Sequence, residues 1–427
     1  MNINMLPIDT DYGRDLYEMS NIFLHKVVWL GPHLSPGLSA SPIYYYLYYP
    51  SLWLSGGNIR GPIYFNILVT ALALLVFLYV LFKNNKQRLL LLLTAIVLVT
   101  SPLWSNLAFH PGNGFSYAIF LLAGLAMTYF SGSLWIAALL MGAATAMHPA
   151  SILALPILMG AYLSSKSNWK QILAGAIAYV SPWTPVILFE VITKGFLIRQ
   201  WLAHPGTGLS ISGLHIDNLA ILTSQLGLRY LWIMLLPPLG IFFDKKVILW
   251  EKLTLVAGLI FFSLISTVPE HYLFGLSMTY LYVVTRWLWQ KKVLAMLVLT
   301  LWLVSNMFTP PPAALSTTRP LRGIEQSVNE ISKMSELENK KLAIVAVLPS
   351  GTSVPQADDY RGLLRMRGIN AVELSEHSQA DLMVYIVEQP VFDYEHWSTW
   401  ETEQFGTKKM LKTKQLGNTL IVVWERI

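Results

Sequence analysis

The chain has no cysteine and little charge. The first absence excludes a disulfide framework, a thiolate nucleophile and a thiolate-bound metal, although it leaves the compartment open. The second is more informative. Charged residues make up 13% of 427 residues, where a soluble domain carries roughly 25%. Hydrophobic residues reach 54% and the mean hydropathy is +0.49, which points to an integral membrane protein. Also missing is the basic start and apolar run of a cleavable leader, because residues 1 to 20 carry Asp9, Asp11, Asp15 and Glu18; no signal peptide is expected. The formal net charge of +6 traces mostly to short connections between apolar runs, where positive charge sets orientation. A membrane is therefore the expected partner and a nucleic acid is not.

What is present is a series of ten apolar segments, at about 62 to 82, 89 to 105, 114 to 131, 133 to 147, 150 to 164, 171 to 193, 226 to 243, 252 to 268, 272 to 290 and 293 to 309. Several are short, as in a tilted or broken bundle. With the N-terminal region outside, the inside connections carry Lys83, Lys86 and Arg88, then Lys166 and Lys170, then Lys245, Lys246 and Lys252, then Lys291 and Lys292; the turn near Ser131 and Gly132 is uncharged. The outside connections at 106 to 113, 148 to 149 and 269 to 271 have no Lys or Arg, as the positive-inside rule requires. The expected fold is an α-helical polytopic membrane protein of about ten spans with a small extracytoplasmic α/β domain, multi-pass in the cytoplasmic (inner) membrane. Its expected parts are an N-terminal outer loop (1–61), a transmembrane bundle (62–309), a linker (310–320) stiffened by Pro310, Pro311 and Pro312, and a soluble domain (321–427). The parity puts the N-terminal loop, His110, His148, the 194 to 225 loop, Glu270, His271 and the C-terminal domain on the outer side.

Within these parts, Leu16, Met19, Ile22, Phe23, Val27 and Leu30 recur at helical spacing, which predicts an amphipathic helix lying on the membrane surface. Gly31 to Gly37 reads as turn chemistry, and the aromatic run Pro42 to Pro50 as headgroup-level structure. In the soluble domain, helices are expected at 321–336 and 360–367 and strands at 342–348, 382–387 and 419–424. Pro349 to Ser353 lacks phosphate-loop spacing and reads as a turn.

The chemistry-bearing candidates begin with Asp11-Tyr12-Gly13-Arg14-Asp15. On a helix its two carboxylates share a face beside a guanidinium, an arrangement that accepts a proton and holds an anion; the bland alternative is a charged helix start. His110 ahead of Pro111 is either a metal or phosphate ligand or a solvated loop residue. His148 ahead of Pro149 reads as a helix cap. Glu190 orients a sugar or faces water. Lys194 and Arg199 place positive charge in an outer loop against the orientation rule, which favours phosphate binding, with Arg229 near the next segment as a third cation. Glu270-His271-Tyr272, confined between two apolar runs, reads as part of a site.

Taken in order, Asp11-x-Gly13-Arg14-Asp15, Gly31-Pro32, Pro42-x-Tyr44-Tyr45-Tyr46, Phe189-Glu190 and His271-Tyr272 resemble the bacterial GT-C glycosyltransferases of the protein mannosyltransferase and aminoarabinose transferase type, over most of residues 11 to 309. The resemblance implies transfer of a sugar from a polyprenyl-phosphate-linked donor to a hydroxyl of a lipid, glycan or protein acceptor at the outer face, with inversion. It implies Asp11 as general base and Asp15 as an orienting or alternative acid. Arg14, Lys194, Arg199, Arg229 and His271 are the expected donor-phosphate ligands, and Tyr45, His110, Glu190, Glu270 and Tyr272 the expected substrate-orienting groups. No cofactor is certain, and a divalent metal ion remains open because residues 105 to 113 supply His110 where relatives often carry a second acid. Relatives also carry a span directly before the first acidic motif, for which residues 1 to 10 are too short, so a shortened or truncated start is expected. The rival expectations are a non-catalytic envelope transporter or scaffold and an inactive homologue.

Overall fold

The computed structural model describes residues 10–35, 38–130, 133–203, 213–228, 231–245, 247–266, 269–308, 319–348, 357–389 and 392–427. Arg229, the triple proline at 310–312, the turn at 349–353 and the uncharged connection at 131–132 lie outside the described residues. The chain divides into two compact units. One comprises the described parts of Met1–Val28, Tyr48–Pro62 and Ala313–Ile427, the other those of Trp29–Leu47 and Ile63–Pro312.

The first unit opens with α1 (Thr10–Phe23). Tyr12, Leu16, Met19 and Ile22 form a buried stripe at helical spacing. The expectation of a surface-lying amphipathic helix over 11–30 is corrected in two respects. The helix stops at Phe23, and its stripe is covered by α18 (Asp358–Met366). Two glycines permit this crossing. A Cβ on Gly362 would lie 2.9 Å from the Tyr17 Cα, and one on Gly13 would lie 3.1 Å from the Asp359 Cβ. The motif glycine thus has a packing reason.

The remainder of this unit is a four-stranded sheet with helices α17 (Leu321–Ser332), α18 and α19 (Trp400–Phe405). Its strands are β3 (Leu342–Val347), β4 (Leu382–Val387), β5 (Lys408–Leu416) and β6 (Thr419–Arg426), in the order β3-β4-β6-β5. β3 runs parallel to β4, and the other pairs are antiparallel. β3 and β4 are buried along their whole length, which explains their uninterrupted apolar sequences. One face of the sheet packs Val345, Met383, Tyr385, Val422 and Trp424 with Phe405 of α19.

The second unit is helical apart from a two-stranded hairpin, β1 (His33–Ser35) with β2 (Leu38–Ser39). Ahead of the hairpin, Gly31 donates its N–H to the Ala40 carbonyl at 2.8 Å. A Cβ there would lie 2.4 Å from the Ser41 carbonyl oxygen. α2 (Ile43–Leu54) and α3 (Arg60–Asn85) run on from it, each crossing the boundary between the units. In the aromatic run, Tyr44, Tyr45 and Tyr48 are buried and Tyr46 is exposed.

Then come α4 (Arg88–Thr100), α5 (Pro102–Phe109), α6 (Asn113–Met127), α7 (Leu134–Met147), α8 (Leu155–Ser164), α9 (Trp169–Val180), α10 (Thr184–Ile192), α11 (Phe196–Ala203), α12 (Ile216–Gln225), α13 (Leu231–Phe243), α14 (Leu249–Leu264), α15 (Phe274–Trp289) and α16 (Lys292–Phe308). By length and composition, two described helical runs can cross a membrane, Arg60–Lys83 and Trp169–Ile192. A third is counted if α4 and α5, which meet at 62°, form one span. That bend falls at Ser101-Pro102, where Ser101 caps the new helix by accepting the Leu103 N–H. The other apolar runs fold as shorter helices, so the expected ten spans do not appear as ten long helices. α15 is buried on every side except at Arg286; its apolar sequence all round marks it as an interior helix of the bundle.

Candidate active site

Each unit carries its own concentration of polar groups. In the first unit the centre is Arg14 on α1. Its two terminal nitrogens donate to Asp11 at 3.0 Å and to Asp15 at 3.1 Å. The two carboxylates differ: the Asp11 side chain is 56% exposed and that of Asp15 is fully buried. One is open to a substrate, and the other holds the guanidinium. Across the helix crossing, Arg361 donates to Asp358 at 2.6 Å, and Arg361 and Arg365 stack over the Tyr17 ring at 5.4 and 4.7 Å. Tyr17 in turn donates to Glu373. Burial pushes the Glu18 carboxyl up, as does nearby Asp358, while a hydrogen bond from Asn21 and the charges of Arg14 and Arg365 oppose the shift. Burial likewise raises Asp358, against Arg361 and Arg14. Acids and arginines therefore alternate through this network, and each cation compensates a partly desolvated carboxylate.

In the second unit the polar groups gather where α5 meets α6, where α7 ends and where α15 begins. The His110 ring is buried, stacks on Phe115 at 5.1 Å, and places Nδ1 3.0 Å from the Asn106 carbonyl. A carbonyl only accepts, so Nδ1 carries a proton. In the neutral ring Nε2 is then an acceptor, and no described group pairs with it. His148 has the opposite tautomer. Its Nδ1 accepts the Ala150 N–H at 3.3 Å, leaving Nε2–H as a buried donor without a described partner. This ring stacks on Tyr117 at 4.7 Å and meets Tyr272 edge-on at 4.5 Å and His271 at 5.6 Å. Burial, with His271 adding to it, drives the His148 pKa down to about 3, so the ring stays neutral. Tyr117 ties the cluster together by donating to the His271 carbonyl at 2.9 Å and accepting the Gly275 N–H at 2.8 Å. A Cβ on Gly114 would lie 3.0 Å from the His271 ring. Gln225 donates to the Glu270 carbonyl at 2.7 Å and accepts from Ser277 at 2.7 Å. Desolvation pushes the Glu270 carboxyl up, and Gln225 and His110 oppose the shift.

Two crystal structures of ArnT from Cupriavidus metallidurans match this chain. The apo state superposes with a TM-score of 0.65 and 11% identity, covering 99% of this chain and 94% of that one. The form bound to undecaprenyl phosphate gives 0.62 and 12%, covering 99% and 95%. The chain has the fold of these two structures. That agrees with the resemblance drawn from the motifs. No protein-family model and no curated protein sequence matches the chain.

The ArnT-like fold brings some of the expected residues together and leaves others apart. Asp11, Arg14 and Asp15 form one cluster; His110, Glu270, His271 and Tyr272 belong to the second. Tyr45 is buried beside Tyr44, with ring centroids 5.6 Å apart. Glu190, Lys194 and Arg199 form a separate local knot. The Glu190 carboxylate accepts the Leu197 N–H at 2.7 Å and caps the start of α11. Arg199 donates to the Thr193 carbonyl at 3.1 Å and to that of Lys194, closing the end of α10. Glu190 and Arg199 thus hold a turn, and Lys194 is exposed.

His148 was read from the sequence as a cap alone. It does cap, but it also joins the aromatic cluster together with Tyr117 and Gln225, which carried no sequence signal beyond being polar within apolar runs. Among the described residues, no three His, Asp or Glu side chains converge as a metal site. No step is routed through a metal.

Proposed function

We propose that this protein is an integral membrane glycosyltransferase of the cytoplasmic membrane that takes a sugar from a polyprenyl-phosphate-linked donor and delivers it, with inversion, to a hydroxyl of a lipid, glycan or protein acceptor on the outer face. The observation that carries the reading is the near full-length likeness in fold to ArnT, one structure of which holds undecaprenyl phosphate. About ten crossings of the bundle, some by broken helices, belong to this reading, as does hexosyl transfer.

In the proposed step Asp11 takes the proton of the acceptor hydroxyl, the oxygen attacks the anomeric carbon, and the bond from that carbon to the phosphate oxygen breaks. The polyprenyl phosphate leaves with the electron pair. Asp11 suits the role because its carboxylate is open and is positioned by Arg14 at 3.0 Å, which buried Asp15 also holds. Of the expected phosphate ligands, Arg199 is already occupied with a helix end and Arg14 with two carboxylates.

The test is Asp11→Asn in membranes supplied with a polyprenyl-phosphate sugar. A general base contributes roughly 10²- to 10⁴-fold, so transfer is expected to fall by about that factor. Unchanged transfer would remove Asp11 from the mechanism.

A further inference from the structure

The second unit has a pocket of about 240 Å³ at the opposite ends of α6 and α15 from the histidine cluster. α6 begins beside His110 and ends at the pocket residue Thr128; α15 begins beside His271 and carries Arg286 in its last turn. Sixteen residues of α15 at 1.5 Å each separate the two ends by roughly 24 Å, so the pocket is no extension of that cluster.

Its walls are formed by Tyr129, Ser164, Trp250, Glu251, Tyr282 and Arg286. The arginine decides what it takes. Only Nη1 is engaged, donating to Glu251 and to the Tyr282 hydroxyl at 2.8 Å. Nε and Nη2 have no protein partner among the described residues, and neither is sealed from solvent. A pair serving only to join α14 and α15 would turn the guanidinium fork onto the carboxylate. Here the fork has an edge free of described partners, with Tyr129 and Ser164 adding to the same walls hydroxyls that have no hydrogen-bond partner among the described residues. Planar donors presented together match a phosphate oxygen edge.

The opposite wall is apolar and built for closeness. A Cβ on Gly160 would lie 2.3 Å from the Trp250 ring, so the indole lies directly on the α8 backbone. The surroundings are cationic: Lys83 sits over Phe130 at 4.7 Å, Lys252 donates to the Phe242 carbonyl at 3.0 Å, and Lys166 is exposed. These lysines belong to the connections that the positive-inside rule assigns to the cytoplasmic face. The lining itself holds Arg286 and its partner Glu251; with an aromatic wall and lysines at neighbouring chain positions, a pocket between helices at that level has the character of a lipid-headgroup site.

We propose that this pocket binds the phosphate of a phospholipid headgroup from the lysine-bearing leaflet, with Arg286 as the phosphate ligand. Full-length protein in detergent is compared with Arg286→Gln by native mass spectrometry. It is then delipidated and its melting followed while phosphatidylglycerol or inorganic phosphate is added. The expected result is one more phospholipid retained per wild-type chain, and a melting temperature raised by phosphatidylglycerol in the wild type alone. Inorganic phosphate giving the whole rise while the lipid gives none would overturn the lipid assignment in favour of a soluble phosphate. Equal lipid retention by both proteins overturns the site. Because Arg286→Gln strands a buried Glu251, Ala161→Leu serves as a second variant; it narrows the pocket with the pair intact and is expected to lose the same lipid. Sugar transfer is not the readout, so failure here leaves the proposed activity standing, and loss of that activity leaves this site standing.

Discussion

The Arg14 network of the first unit and the histidine cluster of the second use polar groups in opposite ways. Around Arg14, carboxylates and guanidiniums are matched, and the exposed member, Asp11, is the one that a substrate can reach. Around His148 the imidazole rings are stacked on tyrosine and phenylalanine, and two imidazole nitrogens are left buried without described partners. In the proposed function proton transfer falls to the first, while the stacked rings of the second set the shape of their own cluster.

The sharpest test of the contrast is Asp11→Asn, which is expected to lower transfer by roughly 10²-fold or more while melting is unchanged, because its side chain is exposed and its loss strands no buried charge; unchanged transfer breaks the contrast. The same loss of rate from His148→Phe, with KM unaffected, would erase the division of labour. The next largest effect is expected from Gly362→Val. Its new Cβ meets the Tyr17 backbone at 2.9 Å, so α18 must move off α1. Overpacking of this kind costs about 1–3 kcal/mol, read as a lower melting temperature together with weakened transfer. If transfer alone survives, the network does not depend on the crossing.

A pH titration separates the two clusters further. The His148 pKa is depressed to about 3 in the folded state. Below about pH 6.5 the unfolded ring therefore binds a proton that the folded one refuses. Stability falls as pH drops through that window, by up to about 1.4 kcal/mol per unit. Melting curves between pH 7.5 and 5 should show this slope in the wild type and a shallower one in His148→Phe. The smallest effect belongs to Glu190→Gln, which weakens the cap on α11 by about 1 kcal/mol or less and should leave transfer unchanged. A collapse of transfer would return that turn to the donor site.

Much of this was legible in the residues. The membrane class, the place of each apolar segment and five of the strands and helices of the C-terminal domain follow from period and composition. The strand β5 did not, because Lys-Lys-Met-Leu-Lys-Thr-Lys reads as solvated chain; it is an exposed edge strand, where lysines discourage pairing with other molecules. The fate of the α1 stripe was also hidden. A helical face that buries against protein has the same period as one that buries in lipid. For the site, the pentapeptide and Glu270-His271-Tyr272 stood out by charge in scarce supply. His148 did not, since its capping role accounted for it fully and ring stacking leaves no trace in sequence.

The crossing of α1 and α18 has a consequence for how the chain is made. Tyr17 reaches a carboxylate 356 positions further along, so the helix bearing Asp11 leaves the ribosome long before its partner exists. Throughout synthesis of the bundle its apolar stripe lacks that cover, and loop-closure entropy opposes the pairing until the last hundred residues arrive. The proposed base is thus assembled last, and a chain interrupted anywhere in the bundle carries the acid without the scaffold that aims it.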